Sequence, residues 1–243
     1  MNREKKIPSH GIVLAAGLGR RMRPLTDVLP KALVQVAGRA LIDHALDRFA
    51  EAGVGFCVVN LHHFAPLLQA HLAERTRPLL AFSDETDQLL ETGGGVAKVL
   101  PLLGAEPFFV ANADALWQNA LEPALHRLAA TWDDEAMDAL LLLVAVGAAY
   151  GYEGNGDFHL TPDGRLERRA EGTAAPYVFG GVQILHPRLF TGAPAGAFSL
   201  NILYDRAARA GRLKGLVHEG PWFHVGTPAH VTLAESRLPP RLY

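Results

Sequence analysis

GIVLAAGLGRRMRPLTDVLPKAL, residues 11–33, runs an apolar segment into Gly17 and Gly19 and then gathers Arg20, Arg21, Arg23 and Lys31 within a dozen positions. An apolar run that stops at glycines reads as a strand delivering the chain to a loop. In open α/β sheets, ligands bind beyond the carboxyl ends of the strands. Gly17 and Gly19 remove side chains there, so that backbone can approach a phosphate or base closely and take angles other residues avoid. Arg21 adds a fork of donors and Lys31 a compact point charge. The stretch is not a Walker loop, because no Gly-Lys-Ser/Thr follows Gly19. Nor is it a dinucleotide fingerprint, because Met22 stands where the third glycine belongs. A glycine turn with solvated arginines is the plain alternative for these residues taken alone.

Outward from this stretch, the first half of the chain alternates short apolar runs with amphipathic ones. Strands are predicted at 54–61, 78–83 and 107–113, and helices at 41–53, 64–74 and 94–103, which implies βαβ units and a mostly parallel sheet. In LIDHALDRFAEAG, Leu41, Ala45, Leu46, Phe49 and Ala52 share one face and Gly53 closes the helix. Pro66 suits the first turn of its helix. Residues 119–131 read as another helix, and 138–146, DALLLLVAV, as a fully buried strand.

After Val146 the texture turns glycine-rich, and FHLTPDGRLERR reads as a hairpin around Pro162-Asp163-Gly164. Strands are then predicted at 177–185, 215–220 and 222–226, and a helix from Ser199 that ends near Gly211. A closing helix has Thr227 as N-cap and Pro228 in its first turn. Tails are expected at residues 1–9 and 239–243.

The composition is that of an ordinary globular α/β protein, with 243 residues, 49% hydrophobic and 20% charged. Lys plus Arg number 23 and Asp plus Glu 25, for a net charge of -2, so no broad basic face for nucleic acid is expected. The single cysteine, Cys57, excludes an intrachain disulfide and reads as a core thiol. No run approaches the roughly 18 apolar residues of a membrane span, and residues 1–10 are polar. A soluble cytoplasmic protein without membrane partners is expected.

Further chemistry-bearing residues fall at predicted strand ends. Asp114 follows the strand PFFVANA, where a carboxylate can hold Mg²⁺ against phosphate oxygens; capping a following helix is its structural alternative. In LLETGGGVAK, residues 89–98, three glycines are expected to introduce a helix with backbone groups free for a base or phosphate. His62 and His63 read as loop histidines bonded to backbone or water, and Asp84, Glu85 and Asp87 as a solvated loop. Phe108, Phe109, Tyr177 and Phe179 read as core.

LAAGLGRRMRPLTDVLPKAL resembles the signature LAAGxGxRMxPLTxxxPKxL of the sugar-1-phosphate nucleotidyltransferases. LETGGGV, ANAD, YVFGGVQIL and WFHVGTP follow in that family's order, so the resemblance extends from Gly11 to about Leu238. Within the family, the compact length, LETGGG and GNGDF are most similar to the N-acetylmuramate-1-phosphate uridylyltransferases of peptidoglycan recycling. Mannose-1-phosphate guanylyltransferases and glucose-1-phosphate uridylyl- or thymidylyltransferases are more distant. The resemblance implies a Rossmann-like α/β/α sandwich with a mostly parallel mixed sheet and a small sugar-binding lobe. It implies one domain over 10–238, with 10–146 the nucleotide-binding core and 147–238 the sugar-binding part.

The implied reaction joins a nucleoside triphosphate, UTP favoured, to a sugar 1-phosphate with Mg²⁺ or Mn²⁺, and releases pyrophosphate. The resemblance assigns catalysis to Arg21, Lys31 and Asp114. It assigns nucleotide contacts to Ala15, Ala16, Gly17, Gly19, Arg20, Arg21, Lys31, Glu91, Thr92 and Gly93. Substrate contacts fall on Asn112 and Gly156, and on Glu171 through a weaker match of ERRAEGTAAPY. The metal falls on Asp114 and on the W-x-D-V-G-T position, which here holds His224. Imidazole is a poor partner for Mg²⁺. Three readings of His224 stand: a ligand for Mn²⁺ or another transition metal, a contact to Mg²⁺ through water, or the mark of a protein that binds sugar nucleotides without turnover. The second is favoured, because the substrates bring their own oxygens. The spacing implies no oligomeric state.

Overall fold

The apolar run at Gly11 becomes a strand with both edges paired and both faces covered. The computed structural model describes residues 6–238, so positions 1–5 and 239–243 of the expected tails lie outside the described residues. The chain runs β1 His10–Leu14, β2 Gln35–Val36, β3 Arg39–Ala40, α1 Leu41–Glu51, β4 Phe56–Leu61, α2 Ala65–Leu72, β5 Leu79–Asp84, α3 Glu91–Leu103, β6 Phe108–Asn112, β7 Ala115–Trp117 and α4 Ala124–Thr131. It continues with β8 Ala139–Ala145, β9 Ala149–Tyr150, β10 Phe158–Leu160, β11 Leu166–Arg168, β12 Tyr177–Leu185, α5 Asn201–Arg209, β13 Leu213–Val217, β14 Trp222–His224 and α6 Pro228–Arg237.

Across the main sheet the order is β5-β4-β1-β6-β12-β8-β13, with the β10–β11 hairpin joined to β12 at Tyr177. β1 pairs in parallel with β4 and β6, β4 with β5, and β8 with β13. β12 runs antiparallel to its neighbours β6 and β8, and the β10–β11 hairpin adds further antiparallel pairs. The strand interiors are mostly apolar on both faces, as covered parallel strands are, with Asn60, Ser83 and Gln183 the buried polar residues among them. Val13, Val59, Phe109 and Leu142 pack with α1, α2 and α4. Ile12, Val58, Phe108 and Leu143 pack with α3 and α5. The result is the expected three-layer α/β/α arrangement. The predicted inner face of α1 is buried at Leu41, Ala45, Leu46 and Phe49. Among the described residues no helix is long and apolar enough to cross a membrane.

Three expected elements differ. The helix predicted over 119–131 is only α4, because Pro123 is extended, at ψ 134°, just before it, and Asn119 Oδ1 accepts from the Ala124 N–H at the helix start. The strand predicted at 215–220 lies at Leu213–Val217, the register that pairs it with β8. β12 breaks step between Phe179 and Gln183, and Gly181 there has φ 77°, so YVFGGVQIL is a bulged strand.

β14 leaves the main sheet for a small one ordered β7-β14-β9. A third apolar cluster sits under it, where Met22, Val34 and Val36 of the glycine-and-cation loop meet Leu116, Phe223 and Ala234. Met22, the residue that breaks the dinucleotide fingerprint, is fully buried and anchors that loop. Phe49 is fully buried and its ring lies against Phe109 at 5.9 Å between centroids. Phe49→Ala should therefore cost about 3–5 kcal/mol of stability, while Leu102→Ala, on the exposed side of α3, should change it by less than about 0.5 kcal/mol. Urea unfolding of both variants checks the difference.

Candidate active site

The carboxyl ends of β1, β4 and β6 meet along one edge, since Val13 pairs with Val59 on one side and Ala111 on the other. Beyond β1 the chain turns at Gly19, whose φ of 60° is left-handed and whose carbonyl accepts from Met22 N–H and Thr26 Oγ1. A Cβ at Gly19 would lie 2.9 Å from Lys31 Cβ. The second glycine of the motif therefore lets the loop fold back on its own lysine. Arg20 and Arg21 are exposed on the turn Arg20–Met22, and Arg23 pairs with Asp27 at 3.1 Å on the surface.

Lys31 Nζ reaches Asp114 Oδ2 at 2.5 Å, joining the loop after β1 to the residue that follows β6 by two positions. The lysine side chain is 15% exposed and the aspartate 31%. Burial pushes the Asp114 carboxyl up; the charge and hydrogen bond of Lys31, with His224 adding to them, more than reverse this and hold it below its ordinary value. Asp114 caps no helix, because β7 follows it directly. β14 runs antiparallel to β7 with His224 opposite Ala115, so the small sheet brings His224 beside Asp114. Burial lowers the His224 imidazole, Asp114 opposes this, and Lys31, Arg21 and His230 lower it further. The pair thus favours a charged carboxylate next to a neutral imidazole. Gly226 leaves room for that ring, since a Cβ there would sit 2.5 Å from His224 Nε2.

A cavity of about 270 Å³ opens at this edge. It is lined by the predicted residues Ala15, Ala16, Gly17, Lys31, Glu91, Thr92, Asn112 and Asp114, together with Asn60 and Leu89. A Cβ at Gly17 would meet nothing within 4 Å, so space is open in front of the loop. Gly19, Arg20, Arg21, Gly93, Gly156, Glu171 and His224 do not line it. Gly156 lies in the lobe after β9, where its N–H donates to Tyr152 Oη at 3.1 Å and its carbonyl accepts from Arg169 Nε at 2.7 Å. With φ 74° and a would-be Cβ 2.1 Å from the Ala175 carbonyl, it is held by close backbone packing. Glu171 is exposed on the following loop.

The glycines of LETGGG do not present free backbone. α3 already includes Gly93, Gly94 and Gly95, and the N–H groups of Gly93 and Gly94 both donate to the Phe198 carbonyl at 2.8 and 3.1 Å. Cβ atoms would meet the Phe198 ring 2.3 Å from Gly93 and the Gly196 carbonyl 2.3 Å from Gly94. These glycines admit the 196–198 loop against the helix. The N–H groups of Ala15 and Ala16 are likewise occupied, both donating to Asn60 Oδ1 at 2.6 and 3.2 Å.

Sequence reasoning passed over Asn60 and treated Glu85 as part of a solvated loop. Glu85 is 2% exposed and hydrogen-bonded to Asn60 Nδ2 at 2.8 Å. The only signal in the sequence was an asparagine closing the apolar run FCVVN. His62 does bond to backbone, at the Glu85 carbonyl. Cys57 is a buried core thiol, which burial pushes up. Among the described residues no group of three or more His, Cys, Asp or Glu gathers as a metal cluster.

The fold and this edge cavity, with a lysine–aspartate pair on its wall, place charged groups where open α/β sheets bind ligands. Residues 11–152 match the family model of the MobA-like NTP transferase domain. The chain is 47% identical, over 95% of its own length and 97% of the relative's, to an N-acetylmuramate alpha-1-phosphate uridylyltransferase of Caulobacter vibrioides. It is 35% identical, over 93% and 96%, to the protein of that name in Neisseria meningitidis. Two solved structures share the fold. They are the inositol-1-phosphate CTP transferase of T. maritima, at TM-score 0.75 and 18% identity over 96% of both chains, and a UDP-glucose pyrophosphorylase with UDP-glucose, at TM-score 0.76 and 17% identity over 94% and 97%. The chain belongs to the sugar-1-phosphate nucleotidyltransferase family.

The packing predicts opposite outcomes for two glycines of the site. Gly94→Ala should cost about 1–3 kcal/mol, because the new methyl meets a backbone carbonyl that cannot swing aside. Gly17→Ala should leave stability within about 0.5 kcal/mol. Thermal unfolding of the two variants checks this.

Proposed function

We propose that the chain joins UTP to N-acetylmuramate 1-phosphate, forming the UDP-sugar and pyrophosphate. What carries the reading is the Lys31–Asp114 pair on the cavity wall, in a chain nearly half identical to a relative that bears the name of this activity. The attacking group is a phosphate oxygen of the sugar 1-phosphate, the α-phosphorus of UTP is the target, and pyrophosphate leaves. Phosphoryl transfer of this kind asks the protein chiefly to align the partners and neutralise charge.

In this reading Lys31 meets the α-phosphate and the incoming sugar phosphate. The surrounding loop keeps its ammonium at the rim, and Asp114 holds its direction until the phosphates arrive. Arg21, exposed on the loop beyond β1, takes the outer phosphates and eases the departure of pyrophosphate. Gly17 leaves room for the nucleotide; Glu91 and Thr92 border base or ribose from the far wall. Asn112 faces ribose or sugar, and Gly156 and Glu171 belong to the sugar side, in the part of the chain after residue 147.

The donors suit a hard divalent cation at one position only. Asp114 offers a charged carboxylate, and Mg²⁺ in nucleotide sites takes one or two carboxylates with phosphate oxygens and water. His224 is an imidazole and fits Mg²⁺ poorly, so we assign it a contact through water, with Mn²⁺ the alternative ion. When bound, such a cation supplies charge neutralisation to the phosphate oxygens. We place the reaction in the cytoplasm, where nucleoside triphosphate is supplied.

A pyrophosphate-release panel crossing UTP, dTTP, GTP and CTP with the 1-phosphates of N-acetylmuramate, N-acetylglucosamine, mannose and glucose tests the proposal. Release should be fastest with UTP and N-acetylmuramate 1-phosphate; no release from any pair would overturn the enzyme reading. Lys31→Ala and Asp114→Ala should each lower kcat by about a hundredfold or more, with unchanged circular dichroism. His224→Asp should lower the Mg²⁺ concentration needed for half-maximal rate; an unchanged metal requirement would remove His224 from the ion's surroundings.

A further inference from the structure

Two polar side chains are buried at the carboxyl edge of the sheet: Asn60 near the end of β4 and Glu85 just past β5, each 2% exposed. Asn60 Oδ1 accepts from the N–H groups of Ala15 and Ala16 at 2.6 and 3.2 Å. Its Nδ2 donates to Glu85 Oε1 at 2.8 Å, and Glu85 Oε2 accepts from Leu90 N–H at 3.1 Å. Only this orientation of the amide satisfies every partner. The bonds form one unbroken chain between opposite walls of the cavity, from the loop after β1 to the residue that precedes Glu91 and Thr92. Gly95 is part of the same device, because a Cβ there would lie 3.0 Å from Glu85 Oε1 and 3.1 Å from Asn60 Nδ2.

We infer that the Asn60–Glu85 pair is a positioning strut that sets the gap between the β1 loop and the start of α3, and so the width of the nucleotide cleft. The inference rests on the reading of this cavity as the UTP site. Simple filling of the core does not call for such a pair, since burying polar groups gains little over well-packed apolar ones. What the pair adds is directionality: each bond has one partner and one angle, and the two walls cannot drift or approach without breaking one. The third glycine of LETGGG is then explained by the strut, as the first two are by the 196–198 loop.

The test exchanges the polarity of the pair. Asn60→Asp sets two carboxylates face to face, and Glu85→Gln points a donor at a donor. Together, Asn60→Asp with Glu85→Gln restores every bond, since the new carboxylate accepts from Ala15, Ala16 and the new amide, whose oxygen accepts from Leu90. Each single variant should raise the KM for UTP about tenfold or more, the effect of leaving one buried polar group unpaired. The KM for N-acetylmuramate 1-phosphate should stay within about twofold, and the double variant should return the UTP value to within about threefold of the parent. Equilibrium binding of UTP without the sugar phosphate should follow the same order, whatever sugar the enzyme prefers. Should a single variant fail to fold, Gly95→Ala reads the same strut and should also weaken UTP. Unchanged UTP affinity in the single variants, or a double variant no better than the worse single, would overturn the strut. Coupling that falls on the sugar phosphate alone would instead overturn the assignment of this cavity to UTP, and the inference with it.

Discussion

The parallel pairing of β1 between β4 and β6 is the constraint on which the molecule depends. It aligns the ends of three buried strands, so that Leu14, Asn60 and Asn112 finish on one line. Gly17, Lys31, Asn112 and Asp114 leave from that line or the loops beyond it, and Glu91 and Thr92 face it from the start of α3. Parallel strands need both faces covered, and helices on both sides seal them, which leaves the carboxyl edge as the place where backbone groups lack strand partners. Asn60 takes up two of them, at Ala15 and Ala16.

A loop rich in cations and glycine is costly to hold in one shape, because it has few apolar groups to bury and its charges repel. Two attachments offset this. Met22, Val34 and Val36 enter a separate apolar cluster with β7, β14 and α6, and Lys31 is tied to Asp114. The first attachment joins the loop to the carboxyl-terminal part of the chain. The second joins it to the end of β6. His224 arrives through the same small sheet, so the anchor of the loop and the surroundings of Asp114 are one piece of structure.

Much of the fold was legible because its signals are local. Apolar runs of strand length, the one-faced spacing of Leu41, Ala45, Leu46 and Phe49, and the Pro-Asp-Gly turn each specify a short element without reference to distant residues. The gathering of charge at the sheet edge was legible, and Lys31 and Asp114 do meet there. Roles resting on packing were not legible. Glycine looks the same in sequence whether it clears a path for phosphate, as the open space at Gly17 allows, or admits a neighbouring loop, as at Gly93 and Gly94. Glu85 looked solvated because its neighbours Asp84 and Asp87 are polar, and nothing local reveals that Asn60 waits across the sheet.

By itself, then, the sequence determined the order and type of the main elements and the family to which the chain is similar, since periodicity and motif spacing are properties of neighbours along the chain. The tertiary structure alone decided that Ala15 and Ala16 spend their N–H groups on Asn60, that the LETGGG glycines serve packing, and that His224 stands beside Asp114. Each of these is a contact between residues far apart in the chain, 45 positions in the case of Ala15 and Asn60. Strand register and side-chain volume settle such contacts, and neither is written in the spacing of a motif.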